Sequence, residues 1–341
     1  MKKIIKVGNI LLGGPHIVIQ SMTNTKTADT LATIKQINEL CEAGCEMVRV
    51  AVKDMDDALA IKDIKKEINC PIIADIHYDE KLALASIEAG ADKIRINPGN
   101  TSTLAMEKIV ESCKKHHIPI RIGVNSGSLS PEILAEFGST PKGMLAEVEK
   151  TLQIFKKLSF DDLVISIKAT NIDHFIEANR LLATKYNYPI HIGLTEAGPL
   201  LGGAIRSSYA IGTLLKEGIG DTIRVSLTGN PVNEVYAAKE ILKMFGKFQG
   251  VTVISCPTCG RCEYDMEKII DELLPHLYKI TKPLKIAIMG CVVNGIGEGK
   301  EADYGIAGGK EKGVIFEHGE IIKTVPQNEL VSEFLKIIKE A

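Results

Sequence analysis

The feature that most constrains this chain is an alternation repeated eight times, a short run rich in β-branched residues followed by a charged segment of helical length. The runs are Ile17–Met22, Glu46–Val52, Pro71–Ile76, Lys93–Pro98, Pro119–Asn125, Leu163–Lys168, Pro189–Thr195 and Thr222–Thr228. The segments after them, Asp29–Glu42, Met55–Glu67, Glu80–Ala89, Leu104–Lys115, Met144–Lys157, Ile172–Lys185, Ala204–Glu217 and Asn233–Met244, carry helical apolar spacing. Parallel strands need a crossover, and right-handed helical crossovers repeated eight times bring the sheet round to its own start. The fold class is therefore α/β, a (β/α)₈ TIM barrel. A doubly wound open sheet is the runner-up. The count of eight and the absence of G-x-G-x-x-G after the first run stand against it.

Ile4–Leu12, with Gly8-Asn9 at its centre, reads as a short hairpin before the barrel. Past Lys247 the pattern changes. Gly250–Ile254 reads as a strand, Glu263–Ile280 as a helix, and Leu284–Gly290 as a strand ending in Cys291. Short strands near Gly313–Phe316 and Glu320–Thr324 precede a terminal helix, Gln327–Lys339. This divides the chain into a substrate-binding barrel over residues 1–246 and a small α/β metal domain over residues 250–341, joined by Gly246–Gly250. A chain of 341 residues, 45% of them apolar, can bury the cores that both domains need.

The second domain carries a thiol pattern. Cys256, Cys259 and Cys262 are spaced by two residues on a Pro- and Gly-containing loop, so their sulfurs can converge on one soft metal or cluster. Cys291 follows a strand and Glu298 lies in the glycine-rich stretch Asn294–Gly299, read here as a flexible loop. Together they can complete a four-ligand site. Spacing alone leaves iron–sulfur, structural zinc and a disulfide open.

The barrel runs are unusual in their polarity. Side chains alternate along a strand, and one phase keeps delivering cations: Arg49, Arg95, Arg121, Lys168 and Arg224, with Asn97, Asn125, Ser166, His191 and Ser226 in the same phases. Asp75 and His77 close the third run and Glu196 the seventh, at the ends where barrels build active sites. The cations outnumber the nearby Asp75 and Glu196, and buried charge without a counter-charge is unstable. A diphosphate is the simplest ligand that balances them, because guanidinium forks match phosphate oxygens in pairs.

A net charge of −2 supplies no global basic field, so nucleic acid is not the expected partner. No run reaches the length of a membrane span, and Lys6 and Asn9 interrupt the only signal-like stretch. The reading is a soluble, cytoplasmic protein with reduced thiols. Cys41, Cys45, Cys70 and Cys113 read as small buried apolar fillers, with Cys70 and Cys113 isolated.

With both sites in view, the sequence resembles the 4-hydroxy-3-methylbut-2-enyl diphosphate synthase family in its compact two-domain bacterial form. The matching stretches are Gln20–Thr23, Arg95–Asn100, Arg121–Leu129, His191–Gly198, Ser255–Arg261 and Gly290–Glu298, in one order over nearly the whole chain. The resemblance implies a [4Fe-4S] cluster on Cys256, Cys259, Cys291 and Glu298. It implies two-electron reductive ring opening and dehydroxylation of 2-C-methyl-D-erythritol 2,4-cyclodiphosphate to the allylic diphosphate, in the methylerythritol phosphate route to isoprenoids. Reduced flavodoxin or ferredoxin is the implied donor and a homodimer the implied assembly. In that picture Arg49, Arg95, Asn97, Arg121, Asn125, Lys168, Arg224 and Ser226 hold the diphosphate. Glu196 is the candidate proton donor, with Asp75 and His77 as alternatives. Cys262 competes with Glu298 for the fourth iron, and an all-thiolate site would serve electron transfer alone. A zinc-stapled barrel that binds or isomerises a phosphorylated sugar is the rival from another class.

Overall fold

A computed structural model of the protein describes residues 2–340 except His77, Tyr78 and Glu263; the side chains of Asn100, Val292, Val293, Asn294, Glu298 and Glu340 also lie outside the description. The chain forms two compact units, one ending at Lys247 and the other beginning at Phe248.

The first unit opens with an antiparallel hairpin, β1 (Ile5–Val7) and β2 (Ile10–Leu12). The barrel strands are β3 (Val18–Met22), β4 (Met47–Val52), β5 (Ile72–Ile76), β6 (Lys93–Ile96), β7 (Ile120–Asn125), β8 (Leu163–Lys168), β9 (His191–Ile192) and β10 (Thr222–Ile223). They pair in parallel in the order β8-β7-β6-β5-β4-β3-β10-β9. A parallel bridge between Ile165 and Ile190 brings β8 back to β9 and closes the barrel.

The helices are α1 (Thr30–Ala43), α2 (Met55–Glu67), α3 (Glu80–Glu88), α4 (Thr103–His116), α5 (Pro131–Phe137), α6 (Pro141–Lys157), α7 (Ile172–Lys185), α8 (Leu200–Lys216) and α9 (Val232–Met244). Asp29, Asp54, Asp79, Ser102, Thr140 and Asn171 each accept a first-turn N–H, which fixes where six of these helices start. Helix α5 is not expected from the sequence. It is a seven-residue insert started by Pro131, whose ring supplies helical φ where no N–H is needed. Strands β9 and β10 are shorter than the runs Pro189–Thr195 and Thr222–Thr228 suggest. Past Ile192, positive φ at Glu196 (52°) and Gly198 (112°) turns the chain out of the ladder.

Inside the barrel the inward phase is layered. Val18, Met47, Ile73 and Val164 pack with Ile5, Val7 and Leu12 of the hairpin into one buried apolar cluster at the N-terminal ends of the strands. Each such side chain contributes roughly 1.5–3 kcal/mol by leaving water. Two residues further along the same strands stand Arg49, Asp75 and Ser166. The hairpin therefore seals one end, and polar groups occupy the other.

The second unit has a five-stranded sheet in the order β11 (Thr252–Ser255), β12 (Lys285–Met289), β13 (Tyr304–Gly308), β14 (Lys312–Glu317) and β15 (Glu320–Pro326), parallel for the first three and antiparallel beyond. Helices α10 (Met266–Leu277) and α12 (Leu330–Glu340) lay Leu273, Leu277, Leu330 and Phe334 against Ile286, Ile288, Ile306 and Ile315 on one face. On the other face Ala287, Met289, Ala307 and Phe316 pack with Ile296 of α11 (Val292–Gly299). The reading of Asn294–Gly299 as a flexible loop is corrected here, because the stretch is helical. Its glycines serve close packing: a Cβ on Gly295 would lie 2.6 Å from the Met289 Cβ, and one on Gly299 would lie 2.7 Å from the Phe316 ring.

Adding a methyl group at Gly299 therefore overpacks this face. The expected result for Gly299→Ala is a loss of about 1–3 kcal/mol in the unfolding of the second unit, read from a denaturant melt. An unchanged midpoint would show that the helix rides free of the sheet.

Candidate active site

The polar layer of the barrel is built by register. Parallel pairing sets Asp75 beside Arg95 and Arg95 beside Arg121 on β5, β6 and β7. Arg95 Nη1 donates to Asp75 Oδ1 at 3.0 Å, and Arg49 Nε lies 3.3 Å from Asp75 Oδ2. One carboxylate thus holds two guanidinium groups. Gly123 makes room for them, since a Cβ there would stand 2.7 Å from Arg95 Nε.

Arg224 has its own carboxylate. Its Nε and Nη2 donate to Glu234 at 3.0 and 2.9 Å, and Glu234 also accepts from the Ser21 hydroxyl and the Leu227 N–H. Glu234 sits in the first turn of α9 and is buried. The charge comparison made from sequence, which set the cations against Asp75 and Glu196, is corrected in two ways. It omits Glu234, and Glu196 stands exposed on the turn after β9 with a left-handed backbone. A non-glycine residue in that region stores strain, a common trait of functional turns.

The remaining cations lack comparable partners. Arg121 is 1% exposed, and its Nε and Nη1 have no hydrogen-bond partner among the described residues. Burial, followed by the charges of Arg49 and Arg95, pulls it well below the usual arginine range. Burial and the charges of Arg49, Arg121, Arg224 and Arg95 depress Lys168 in the same way. Arg49 falls to about 10, through burial opposed in part by Asp75. His191 is fully buried, shares a 2.6 Å hydrogen bond between Nδ1 and the Thr222 hydroxyl, and leaves Nε2 unpartnered. Burial and the surrounding cations keep its ring neutral.

Sequence reasoning missed three buried polar residues around this layer. Lys93 is wholly buried on β6 with Met47 Sδ at 4.0 Å, and burial pushes it well below the ordinary lysine range. Its phase matches that of Arg95, so the signal was available. Gln20 on β3 is buried with both amide atoms unpartnered. Glu234 lies on a helix and escapes any strand-phase argument. Methionine also contributes, for Met22 Sδ accepts from Arg49 Nε and Nη2 at 3.0 and 2.9 Å.

Of the other expected residues, Asn97 is buried but already engaged. Its Oδ1 accepts from Gly99 N–H and its Nδ2 donates to Ser128. Asn125 and Ser226 are half-buried. His77 lies outside the described residues.

In the second unit Cys256 and Cys291 follow the adjacent parallel strands β11 and β12. Cys256 Sγ accepts from Gly290 N–H at 3.2 Å, and a Cβ on Gly290 would stand 3.1 Å from Cys262 Sγ and 3.5 Å from Cys256 Sγ. Burial and the sulfurs of Cys262, Cys256 and Cys291 hold the Tyr264 hydroxyl protonated, and it donates to Met289 O at 2.7 Å. Cys259 is exposed, and hydrogen bonds from the Arg261 backbone and side chain pull its thiol below the usual value. All four thiols are free. Among the described residues no three His, Cys, Asp or Glu side chains are already arranged to hold one metal ion. Soft sulfurs at one sheet edge, one of them accepting a backbone N–H, fit an iron–sulfur group by donor chemistry. Glu298 lies in α11, and its side chain is outside the description.

The barrel's charge has a measurable consequence. Lys168→Met should raise the melting temperature of ligand-free protein, because it removes a buried charge from among like charges. The same variant should lose at least half of the stabilisation that inorganic diphosphate gives the parent. A lowered melting temperature with full diphosphate response would refute the excess positive charge.

Comparison with known proteins accords with this architecture. Residues 2–239 match the family model described as the GcpE TIM-barrel domain, and residues 252–340 match the GcpE protein C-terminal domain. A Clostridium perfringens protein named 4-hydroxy-3-methylbut-2-en-1-yl diphosphate synthase (flavodoxin) is 55% identical, with 98% of this chain and 97% of that protein aligned. A Caldanaerobacter subterraneus protein of the same name is 53% identical over 98% and 96%. Among solved structures, dihydropteroate synthase from Stenotrophomonas maltophilia gives a TM-score of 0.53 at 16% identity, covering 71% of this chain and 97% of its own. Type I 3-dehydroquinate dehydratase from Clostridium difficile gives 0.54 at 14%, over 72% and 98%. These two share the barrel alone. With both family models matched in order and half of all aligned residues identical to its relatives, the chain belongs to the GcpE family.

Proposed function

We propose that this protein is an iron–sulfur oxidoreductase that converts 2-C-methyl-D-erythritol 2,4-cyclodiphosphate to (E)-4-hydroxy-3-methylbut-2-enyl diphosphate, with reduced flavodoxin as electron donor. The observation that carries the reading is the Arg121 guanidinium, whose Nε and Nη1 have no partner among the described residues, within a buried cation cluster, in a chain whose relatives bear that enzyme's name. A diphosphate supplies the missing negative charge and the missing acceptors in one ligand. The same grounds favour a reductase over the zinc-stapled barrel.

In this reading Arg121 and Lys168 bind the diphosphate oxygens directly, while Arg49, Arg95 and Arg224 are pre-aimed by Asp75 and Glu234. Pre-aimed groups lose little freedom on binding, which favours tight and oriented capture. Ser226, Asn97 and Asn125 add neutral contacts. Glu196, exposed on its strained turn after β9, gives the proton that lets the hydroxyl leave as water; Asp75 and His77 are the alternatives, and Asp75 is already committed to two arginines. Cys256, Cys259, Cys291 and Glu298 would hold the [4Fe-4S] cluster. Bound there, the cluster would relay, one at a time, the two electrons from reduced flavodoxin that ring opening and loss of the hydroxyl require. The depressed thiol of Cys259 favours the thiolate form in which a cysteine binds iron.

A homodimer fits one exposed surface. Leu201, Ile205 and Tyr209 are 76%, 63% and 62% exposed at four-residue intervals along α8, an apolar stripe of the kind that a second copy covers. No helix among the described residues is long and apolar enough to cross a membrane. The protein is proposed to work in the cytoplasm.

The direct test is turnover of the cyclic diphosphate by anaerobically purified protein with reduced flavodoxin, with the allylic diphosphate identified by mass. Failure to form it would sink the reading. Glu196→Gln should leave iron content and diphosphate binding near normal while turnover falls by roughly 10²-fold or more; unchanged turnover removes it from the mechanism. For the cluster, iron and sulfide content should survive Cys262→Ser but fall in Cys259→Ser, with the spectrum altered in Glu298→Ala. Loss of iron in Cys262→Ser, with Glu298→Ala unaffected, would instead establish an all-thiolate site.

A further inference from the structure

Cys41 and Cys70 are far apart in sequence, and Cys70 reads there as isolated. The structure overturns that isolation. Helix α1 carries Cys41 on its last turn and is stopped by Gly44, whose φ of 102° only glycine adopts easily. Cys70 lies in the bend just before β5. The two half-buried thiols line one cavity of about 410 Å³ with Cys45, Asn38, Glu46 and Asn69, and the neighbouring Cys41 side chain helps hold Cys70 in its protonated form. This cavity is at the N-terminal ends of the strands, away from the cation layer, and the proposed reaction has no use for it.

The third cysteine is differently placed. Cys45 is buried, and its thiol donates to the Met47 carbonyl at 3.1 Å. Burial also pushes its titration far up, so it stays protonated. Cys113 is buried elsewhere, and burial alone raises it to about 12. Only Cys41 and Cys70, among these four, are both partly open and mutually in reach.

We propose that Cys41 and Cys70 form a peroxide-responsive dithiol site, in which hydrogen peroxide joins the two sulfurs in a disulfide across the cavity. The Cys41 thiolate attacks one peroxide oxygen, the O–O bond breaks, and Cys41 becomes a sulfenic acid with release of one water. The Cys70 sulfur then attacks the Cys41 sulfur, the S–O bond breaks, and the second water leaves with the Cys70 proton. Two thiols and one peroxide give one disulfide and two waters; the sulfurs lose the two electrons that the peroxide gains. Cys41 is assigned as the attacking sulfur because its own side chain and burial hold the Cys70 thiol protonated. The product ties the end of α1 to the entry of β5.

The test uses full-length protein, reduced anaerobically, freed of excess thiol, treated with one equivalent of hydrogen peroxide and capped with N-ethylmaleimide. Peptide mapping without reduction should find a Cys41–Cys70 link in most chains, reversed by dithiothreitol, with Cys45 and Cys113 alkylated only after unfolding. Mapping by residue keeps the thiols of the second unit apart from this pair. In Cys70→Ser, dimedone should label Cys41 roughly ten-fold more than in the parent, where the resolving thiol removes the sulfenic acid first. Recovery of both thiols reduced, or a Cys41–Cys45 link in place of Cys41–Cys70, would overturn the site. Equal dimedone labelling of Cys70 in Cys41→Ser would overturn the assigned order.

Discussion

Buried like charge is the constraint on which the barrel unit depends. Arg49, Arg95, Arg121, Lys168 and Arg224 sit close together, and burial among these charges depresses the protonation of Arg49, Arg121 and Lys168, as it does that of Lys93 and His191. A barrel interior ordinarily gains stability from branched apolar side chains. Here that gain is confined to the hairpin end, where Ile5, Val7 and Leu12 meet Val18, Met47, Ile73 and Val164. Asp75 and Glu234 then hold the three arginines nearest to them in fixed directions. Neither reaches the free nitrogens of Arg121. The fold thus tolerates a local excess of charge because its stability is secured elsewhere, and in the proposed function that excess is what selects an anion.

Much of this was legible in the sequence, for definite reasons. Eight strand–helix units leave few closed arrangements, and alternation along each strand was enough to group Arg49, Arg95, Arg121, Lys168 and Arg224. The same alternation reaches Lys93, which was overlooked because lysine at a strand start reads as solvent-facing. Glu234 could not be reached this way. It enters the layer from the first turn of α9, and only the closed barrel brings that turn beside Arg224 and Ser21.

Glycine misled the reading of the second unit. Gly295, Gly297 and Gly299 suggest a mobile loop by composition, yet Gly295 and Gly299 share a helix face that touches Met289 and Phe316 with no space for a methyl group. Strand β13, Tyr304–Gly308, was missed for a related reason. Gly305 and Gly308 dilute its strand character while making room for the rings of Phe316 and Tyr264. The thiol pattern was legible as a cluster, but spacing could not rank its members. Cys262 lies beside Cys256 at Gly290, whereas Cys259 points outward under the influence of Arg261.

The hairpin has a further consequence for traffic through the barrel. Because β1 and β2 close the N-terminal end with packed aliphatic side chains, that end offers no way in among the described residues. Whatever the proposed reaction makes inside would then depart from the same end at which its precursor arrived. In the proposed reaction each cycle therefore has to empty the barrel before it can refill, and a departing diphosphate that lingers among the arginines would compete directly with the incoming one.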